Sequence, residues 1–427
     1  MKNRIAIIDG LRTPIAKAGG KLRDIQAEAL GSFVIKELLS RNDIDKELFD
    51  EVIIGNVSQP AHAANIARVI ALRSGFDESM TAYTVHRNCA SGMESITTAS
   101  DKIKANNGGI YMCGGVESMS NIPLIYSPKM TSFFENLMKS KTLGQKLQTA
   151  FSFRPSALKP VIGLMQGLTD PMNGLIMGKT AEVLAQDFGI TREDQDKFAL
   201  NSHMKATKAR NDGILAQEIA PIVYKKSNIM IDDDGMREFL TMDALTKLKP
   251  FFDRKNGTVT VGNSSQVSDA AAGVIVMSEK KAKDMGLEPL GYLSSYTYAG
   301  LDPLRMGLGP VYSTAKLFKE QNLSLKDIDL IELNEAFAAQ VIANLKAFDS
   351  KIYAKQHLGT DKALGSIDTN ILNVNGGGIA LGHPVGMTGT RIVIHTLKEL
   401  RRRGKNRGLA TLCIGGGQGA SLILEVE

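Results

Sequence analysis

Short apolar runs alternate with longer amphipathic segments along most of the chain. Six runs have the length and β-branched content of strands, and they span residues 4–8, 51–54, 109–112, 328–333, 371–374 and 409–414. Six segments have the periodicity of amphipathic helices, and they span residues 27–39, 90–105, 180–188, 192–210, 335–348 and 388–403. This alternation predicts an α/β fold with largely parallel sheets.

The order of these elements repeats between the two halves of the chain. In the first half, a strand ending at Asn56 precedes a helix that follows Cys89. In the second half, a strand ending at Asn334 precedes a helix that follows His383. In each half the next strand ends in a cysteine followed by glycines. The repeat indicates a gene duplication, with an active site where the strand ends of the two halves meet.

The region between the repeats fits neither half. We therefore expect a first half at residues 1–120 and 257–287, an inserted loop domain at 121–256 and a second half at 288–427. The insertion would cover the active site and is the part of the chain most open to contacts with other molecules.

The middle of the insertion, residues 127–160, is strongly basic. Its charged residues are Lys129, Lys139, Lys141, Lys146, Arg154 and Lys159 against one acid, Glu135. On a helical wheel, one arc holds Phe133, Leu137, Leu147 and Phe151. Such a basic amphipathic helix either packs its apolar side onto the protein's own core or contacts a membrane surface or a partner subunit. The sequence leaves both readings open.

Composition narrows the range of partners and compartments. The chain has 427 residues, a formal charge of +6 and three cysteines, which are too few and too scattered for a disulfide framework. No nucleic-acid-binding motif is present, and the basic balance suits either an ordinary solvated surface or a phosphate-bearing cofactor. Residues 1–10 resemble a buried strand rather than a presequence, and no segment is long enough to span a membrane. A cytoplasmic location, where thiols stay reduced, is expected.

Cys89 is the first candidate for chemistry, because it directly precedes a run of small residues that opens a helix. The free N–H groups and the positive dipole end of a helix N-terminus favour a thiolate over a thiol. A thiolate there is a plausible nucleophile for a thioester carbonyl. If this motif stood alone, a buried and unreactive cysteine would be the simpler interpretation.

Three further motifs strengthen the chemical interpretation. His383 lies between a glycine and a proline, and this rigid setting suits an imidazole positioned to take a proton from Cys89. Cys413 ends a strand just ahead of a glycine run, so its thiol is expected at the ligand-binding end of the sheet. Asn334 begins the helix at residues 335–348, where a simple N-cap would explain it.

Together these four motifs resemble those of the thiolase family, in the family's order and over essentially the whole chain. Supporting matches are found at residues 12–14, 177–182, 262–269 and 306–310. The resemblance implies two duplicated α/β halves in a five-layer αβαβα fold, with an inserted loop domain.

The resemblance also implies a role for each motif. Cys89 would become acylated, His383 would deprotonate and orient it, and Cys413 would act as the second acid/base. Asn334, through a water, and His383 would form one oxyanion site. The backbone N–H groups of Cys89 and Gly415 would form the other.

Coenzyme A is the co-substrate that the resemblance implies, with no prosthetic group and no metal. The family positions along its pantetheine arm correspond to Ser265, Met177, Ala336 and Phe337. Ile176 departs from some short-chain biosynthetic members, which have a His there, so the contacts of that residue are not carried over.

The long insertion, including residues 159–164 and 168–171, looks most like that of degradative thiolases that act as β subunits of fatty-acid oxidation complexes. This implies thiolytic cleavage of a 3-ketoacyl-CoA to acetyl-CoA and a shortened acyl-CoA in β-oxidation. It also implies a homodimer or tetramer, a hydratase/dehydrogenase α subunit as a candidate partner, and a candidate peripheral membrane contact.

Three alternative functions are weighed against this interpretation: a biosynthetic acetoacetyl-CoA thiolase, a ketoacyl synthase of related fold and a non-catalytic scaffold with a thiolase fold. Asn334 disfavours the synthase, which usually has a second His there. The complete set of four motifs disfavours the scaffold.

Overall fold

Within residues 4–427, which the computed structural model describes, the chain forms fourteen strands and fifteen α-helices, besides short 3₁₀ and π segments. The strands are β1 (Ile5–Arg12), β2 (Ala16–Lys17), β3 (Glu51–Gly55), β4 (Thr81–Val85), β5 (Ile110–Ser118), β6 (Leu124–Ile125), β7 (Val161–Ile162), β8 (Ile222–Tyr224), β9 (Asn228–Met230), β10 (Ser268–Ser278), β11 (Gly291–Gly300), β12 (Leu330–Leu333), β13 (Arg407–Ile414) and β14 (Gln418–Glu425). The helices are α1 (Ala27–Asn42), α2 (Ile66–Arg73), α3 (Ser91–Lys104), α4 (Pro128–Lys139), α5 (Leu143–Phe151), α6 (Gly163–Gly167), α7 (Met177–Asp187), α8 (Arg192–Asn211), α9 (Met242–Thr246), α10 (Glu279–Asp284), α11 (Gly309–Gln321), α12 (Ala338–Phe348), α13 (Lys351–Tyr353), α14 (Gly378–Leu381) and α15 (Val385–Arg403). Residues 1–3, part of the N-terminal segment predicted to be a buried strand, lie outside the described residues.

Ten strands form one mixed sheet in the order β12-β13-β14-β11-β1-β10-β5-β3-β4, with β2 beside β10. The parallel pairs are β3 with β4, β3 with β5 and β12 with β13, and the other neighbours are antiparallel. The prediction of largely parallel sheets is therefore wrong. The turn at residues 415–417, between β13 and β14, is too short for the crossover that a parallel return needs.

Helices cover both faces of this sheet and divide the molecule into five layers. Helices α1 and α2 pack on the outer face of the first half, and α11 packs on the outer face of the second. Helices α3 and α15 pack against each other between the halves. Strands β5 and β10 are buried along their whole length. The predicted fold class, two duplicated α/β halves in five layers, is confirmed.

The central helices α3 and α15 approach each other at positions where no side chain fits. A Cβ atom on Gly92 would lie 2.7 Å from a backbone nitrogen of α15, and one on Gly389 would lie 2.6 Å from the backbone nitrogen of Met93. A Cβ on Gly115 would lie 2.2 Å from the carbonyl oxygen of Gly386. Glycine at these positions lets the two backbones touch, which brings the starts of both helices together.

Two predicted elements differ from the structure near the glycine-rich loop. Residues 371–374, predicted as a strand, contribute only two isolated bridges, from Leu372 to Ile331 and from Val374 to Gly376. The backbone at Asn373 has φ 43°, which interrupts an extended strand. The helix predicted from residue 335 begins at Ala338, because Phe337 is still extended, with φ −146° and ψ 143°.

The basic segment of the insertion forms two helices, α4 and α5, rather than one. Thr142 starts α5 with a capping box, in which its side chain and that of Gln145 bond reciprocally to the backbone. We call residues 128–151 the basic hairpin. Met138 is 87% exposed and Phe151 82% exposed, so these apolar residues do not pack on the protein's own core. Neither this hairpin nor any other helix in the described part of the chain has the length and apolar content needed to cross a membrane.

Candidate active site

The residues singled out for chemistry lie at the carboxyl ends of strands from both halves. Cys89 lies between β4 and α3, and Cys413 is the residue before the last of β13. Asn334 directly follows β12, and His383 comes two residues before α15. Because α3 and α15 touch at their first turns, these positions converge at the ligand-binding edge of the sheet.

A tight turn holds Cys89 at the start of α3. Asn88 has φ 44°, a left-handed conformation that asparagine tolerates better than most residues. Its side-chain amide donates a 2.7 Å hydrogen bond to the carbonyl oxygen of Gly415. This bond ties the turn of the first half to the glycine turn of the second, so Cys89 and Gly415 face each other across the halves.

Backbone N–H groups surround the sulfur of Cys89. Burial raises the pKa of the Cys89 thiol, while hydrogen bonds from the N–H groups of Gly415 and of Cys89 itself act in the opposite direction. The N–H groups that can stabilise a thiolate can also receive the oxygen of an intermediate formed on that sulfur. Two backbone donors therefore face the sulfur of the predicted nucleophile.

Cys413 lies beside Cys89 but in a drier environment. Its side chain is buried, which raises its pKa, and a charge on Cys89 raises it further. The coupling shows that the two sulfur atoms are close enough to interact. Near neutral pH Cys413 therefore keeps its proton, which is the state of a proton donor.

His383 is fixed by the loop that leads into α15. The residue before it, Gly382, has φ 112°, and a Cβ there would lie 2.3 Å from the hydroxyl of Ser268. The N–H of His383 donates a 3.1 Å hydrogen bond to the carbonyl oxygen of Gln266. Only glycine fits before the histidine, so the backbone of His383 has one well-defined position.

The hydrogen bonds of His383 define its tautomer. Its Nδ1 lies 2.6 Å from the hydroxyl of Thr388, and that hydroxyl donates its own proton to the carbonyl oxygen of Pro384. Nδ1 must therefore carry the proton, which leaves Nε2 as the acceptor. Burial lowers the pKa of His383 to about 4, and the charge of Arg391 contributes in the same direction. The imidazole is neutral near pH 7 and can accept a proton.

Asn334 is buried, and neither its Nδ2 nor its Oδ1 has a hydrogen-bond partner. The expectation that it caps the following helix is wrong, because α12 starts four residues later, at Ala338. A Cβ on Gly378 would lie 3.1 Å from its Oδ1, so the amide borders the loop that leads to His383. Within the described residues this buried amide has no partner, so it is free to bind a substrate oxygen or a water.

The four residues expected to contact coenzyme A also lie together. The N–H of Ser265 donates to the carbonyl oxygen of Ala336 at 2.9 Å, beside a bridge between residues 264 and 337. A Cβ on Gly415 would lie 3.4 Å from the sulfur of Met177, which packs against the same apolar cluster as Phe337. These residues form one wall next to the paired cysteines.

Two residues of the site were not anticipated from the sequence. Thr388 fixes the tautomer of His383, and Asn88 links the turns that carry Cys89 and Gly415. Thr388 lies five residues beyond His383, so it comes within reach only because the chain enters α15 between them. The left-handed backbone of Asn88 left no distinct signal in the sequence.

The chain matches two family models, described as the N-terminal and the C-terminal domain of thiolase, at residues 5–280 and 287–426. This chain belongs to the thiolase family. The prediction of a thiolase, and hence of an acyltransferase, is confirmed. Among its relatives, a 3-ketoacyl-CoA thiolase of Yersinia enterocolitica is 40% identical over 427 residues, which cover 100% of this chain and 97% of the relative. One from Shewanella piezotolerans is 41% identical over 426 residues, covering 99% and 97%.

Solved structures resemble this thiolase along its whole length. The crystal structure of an acetyl-CoA acetyltransferase from Bacillus anthracis has a TM-score of 0.87 and 36% identity, covering 99% of this chain and 98% of the other. Human mitochondrial 3-ketoacyl-CoA thiolase in complex with CoA has a TM-score of 0.86 and 36% identity, covering 100% and 98%.

The fixed tautomer of His383 leads to a test on the thiol of Cys89. In Thr388→Val, Nδ1 loses its acceptor, and the rate of Cys89 alkylation by iodoacetamide should fall. The expected decrease is about 10-fold, because a hydrogen bond contributes about 0.5–1.5 kcal/mol and roughly 1.4 kcal/mol corresponds to tenfold in rate. Peptide mass spectrometry measures the labelling.

Thr396→Val is the matched control for this test, because the Thr396 hydroxyl bonds only to the carbonyl oxygen of Ile392 within the same helix. It should label Cys89 at the wild-type rate. Equal rates in Thr388→Val and the wild type would contradict the assignment of the tautomer.

Proposed function

We propose that this thiolase cleaves 3-ketoacyl-CoA with coenzyme A, giving acetyl-CoA and an acyl-CoA shortened by two carbons, in fatty-acid β-oxidation. The proposal rests on the groups that lie around the Cys89 sulfur. Two backbone N–H groups face it, and the second thiol, Cys413, lies beside it. The nucleophile, the oxyanion donors and the proton donor thus lie next to one another. Cleavage of the C2–C3 bond of a 3-ketoacyl thioester requires all three.

The first step forms the covalent intermediate. Nε2 of the neutral His383 takes the proton of Cys89, and the thiolate attacks the C3 ketone of the substrate. The N–H groups of Cys89 and Gly415 receive the developing oxyanion. Removing one donor of such a hole typically lowers the rate by about 10²–10³.

The second step breaks the bond between C2 and C3. The electron pair moves onto the acetyl-CoA fragment as an enolate, and Cys413 protonates its carbon. Asn334, holding a water, and His383 stabilise the enolate oxygen, which explains an unpartnered amide inside the pocket. Acetyl-CoA leaves, and the shortened acyl group remains on Cys89 as a thioester.

The third step releases the product. A second coenzyme A enters along the wall formed by Met177, Ser265, Ala336 and Phe337. Cys413, now a thiolate, removes the proton of its thiol, and the coenzyme A sulfur attacks the acyl group on Cys89. The shortened acyl-CoA leaves, His383 returns its proton to the released Cys89 thiolate, and both cysteines and the imidazole are back in their starting states.

A biosynthetic acetoacetyl-CoA thiolase is the second candidate. The likeness to the Bacillus anthracis acetyl-CoA acetyltransferase favours it, since that structure matches as well as the human one. The chemistry is the same in the reverse direction. The basic hairpin and the names of the curated relatives favour the degradative role.

The two candidates differ in the chain lengths that they accept. We expect thiolysis of 3-ketoacyl-CoA substrates longer than the four-carbon one, with kcat/KM measured by loss of the 3-ketoacyl-CoA absorbance along a series of chain lengths. Activity confined to acetoacetyl-CoA would leave the biosynthetic role as the better explanation.

The covalent step predicts an acyl group on Cys89. When 3-ketoacyl-CoA is added without free coenzyme A, mass spectrometry of proteolytic peptides should find the acyl mass on Cys89. Cys89→Ser should reduce turnover by at least about 10³, because a hydroxyl is not ionised at neutral pH and makes a far poorer nucleophile.

Cys113→Ala is the control for the loss of a thiol, because Cys113 is fully buried in β5. It should keep the acyl group on Cys89. Turnover by Cys89→Ser at the wild-type rate would rule out the covalent mechanism.

The assembly of this thiolase is proposed to be at least a homodimer. Strand β4 is the last strand of the sheet, so one side of its backbone has no neighbouring strand within residues 4–427. Residues 82–85 are only partly buried. An edge strand of this kind favours pairing with another chain. The cytoplasmic location stays a prediction.

The basic hairpin is proposed to dock on a hydratase/dehydrogenase α subunit. It combines exposed apolar side chains with five lysines and one arginine in and next to it, which suits an acidic partner surface with an apolar centre. A peripheral membrane contact is the other expectation and becomes an outcome of the test.

A tagged chain at low salt should therefore retain a larger hydratase/dehydrogenase subunit, identified by mass spectrometry, and lose it at high salt because screening weakens the charge attraction. Met138→Asp combined with Phe151→Asp should abolish the association. Phe239→Asp changes a residue that is 90% exposed outside the hairpin and should retain it. Binding to anionic vesicles without any such subunit would instead indicate the membrane contact.

A further inference from the structure

Glu117 is a buried acid whose contacts link the two halves beside the site. It lies near the end of β5 and is 1% exposed. Its carboxyl group accepts hydrogen bonds from the backbone N–H groups of Val57 at 3.1 Å, Ser58 at 3.0 Å and Gly386 at 2.9 Å. The side-chain amide of Asn56 donates a further one at 3.3 Å. No Lys, Arg or His in residues 4–427 forms an ion pair with it.

The contact with Gly386 places a carboxylate at the start of the central helix α15. Gly386 is the second residue of that helix, where N–H groups lack helical partners and the dipole favours a negative charge. A Cβ on Gly386 would lie 2.8 Å from the Oε2 of Glu117 and 2.8 Å from the carbonyl oxygen of Val116. The acid of the first half is thus packed directly on the helix of the second.

This helix start is also the turn that carries His383. Gly386 is three residues beyond His383, and Thr388, which fixes the Nδ1 proton, is two residues further. The carboxylate therefore has a short structural connection to the position of the imidazole. We propose that Glu117 is a positioning residue, whose carboxylate locks the His383 turn against the first half so that the imidazole can accept the proton of Cys89.

The duplicated halves provide an internal comparison for this proposal. Asn56 and Asn334 occupy corresponding strand ends, but the amide of Asn56 is tied to the carbonyl oxygen of Val116 at 2.8 Å and to Glu117. The amide of Asn334 has no partner. Gly55, the residue before Asn56, pairs with Gly115, and Leu333, the residue before Asn334, pairs with Thr411. Two residues further along these strands lie Glu117 and Cys413, so a thiol takes the place of the acid.

Because of this difference, the N–H groups at the starts of α15 and α3 have different partners. At α15 the N–H groups bind a carboxylate of the protein itself. At α3 no carboxylate within residues 4–427 accepts from the first N–H groups, since Glu94 in its first turn pairs with Arg87. The N–H of Cys89 stays directed at its own sulfur. The start of α15 thus binds the carboxylate of Glu117, while the N–H groups at the start of α3 remain available to the thiolate and the oxyanion.

The titratable neighbours of Glu117 give the proposal a measurable pH dependence. Burial raises the pKa of Glu117 to about 7, and its charge in turn raises the pKa of Cys89. The groups that act against this burial are the N–H groups of Ser58, Gly386 and Val57 and the amide of Asn56, which favour the carboxylate. Only the ionised form of Glu117 locks the turn. A protonated carboxyl group would point its own O–H toward N–H groups, which cannot accept a hydrogen bond. Activity should therefore be lost as the pH falls through about 7.

Glu117→Gln separates positioning from the effect of charge. If Glu117 acted on Cys89 only through its negative charge, removing that charge would favour the Cys89 thiolate. Alkylation of Cys89 by iodoacetamide would then be faster. If the carboxylate positions His383, alkylation and kcat should fall by about 10- to 100-fold, as small displacements of catalytic groups do, with little change in KM. The loss of kcat below about pH 7 that we expect in the wild type should be absent from the variant.

Glu182→Gln is the matched control, because Glu182 is also a buried acid that accepts N–H groups, from Thr258 and Val259. It should retain the wild-type loss of kcat at low pH. Glu117→Asp, which keeps the charge with a shorter reach, should show intermediate kcat and keep that loss, and it carries the test if Glu117→Gln fails to fold.

Faster alkylation in Glu117→Gln, or an unchanged pH profile in it, would overturn the proposal, as would wild-type kcat in Glu117→Asp. The inference rests on the proposed roles of Cys89 and His383. The alkylation rates need no CoA substrate, so they are read independently of whether an acyl group forms on Cys89. Absence of that acyl group in the wild type would reject the proposed function alone.

Discussion

The direct backbone contact between α3 and α15 is the constraint on which the site depends. Each helix begins within two residues of a chemical group, Cys89 or His383, and the two groups can meet only if the helix starts touch. Glycines at the contact remove the side chains that would hold the helices apart. The outer layers and the long sheet serve to hold this one contact in place.

Burial shifts the pKa values of the two cysteines and of His383, and the N–H groups near each sulfur then separate the roles of the two thiols. The same dry interior raises the pKa of both cysteines and lowers that of His383. What separates Cys89 from Cys413 is the set of N–H groups around the first sulfur. Two N–H groups, those of Gly415 and of Cys89 itself, face the sulfur of Cys89, whereas only its own N–H faces the sulfur of Cys413. The polarity of the pocket comes mostly from the backbone, which is why glycines are so frequent around it.

The sequence predicted the strand–helix order, the repeat and the four motifs, because each depends on local periodicity or on a residue type beside a glycine run. It mistook residues 371–374 for a strand, since a left-handed Asn373 leaves no mark in an apolar pattern. It placed Asn334 at a helix start, although the chain stays extended through Phe337. Thr388 and Glu117 act through contacts made only after the halves pack, so no pattern along the chain could identify them.

The start of α15 binds a carboxylate of the protein and the start of α3 does not, and this difference bears on how such an enzyme arises. A half-length ancestor that paired through this helix would place identical residues on both sides of a twofold axis. Nucleophile and base could then not differ, nor could one anchor be acidic and the other neutral. Fusion into a single polypeptide removes that symmetry and lets each copy specialise. The carboxylate of Glu117 in one half and the thiol of Cys413 in the other are the record of that divergence.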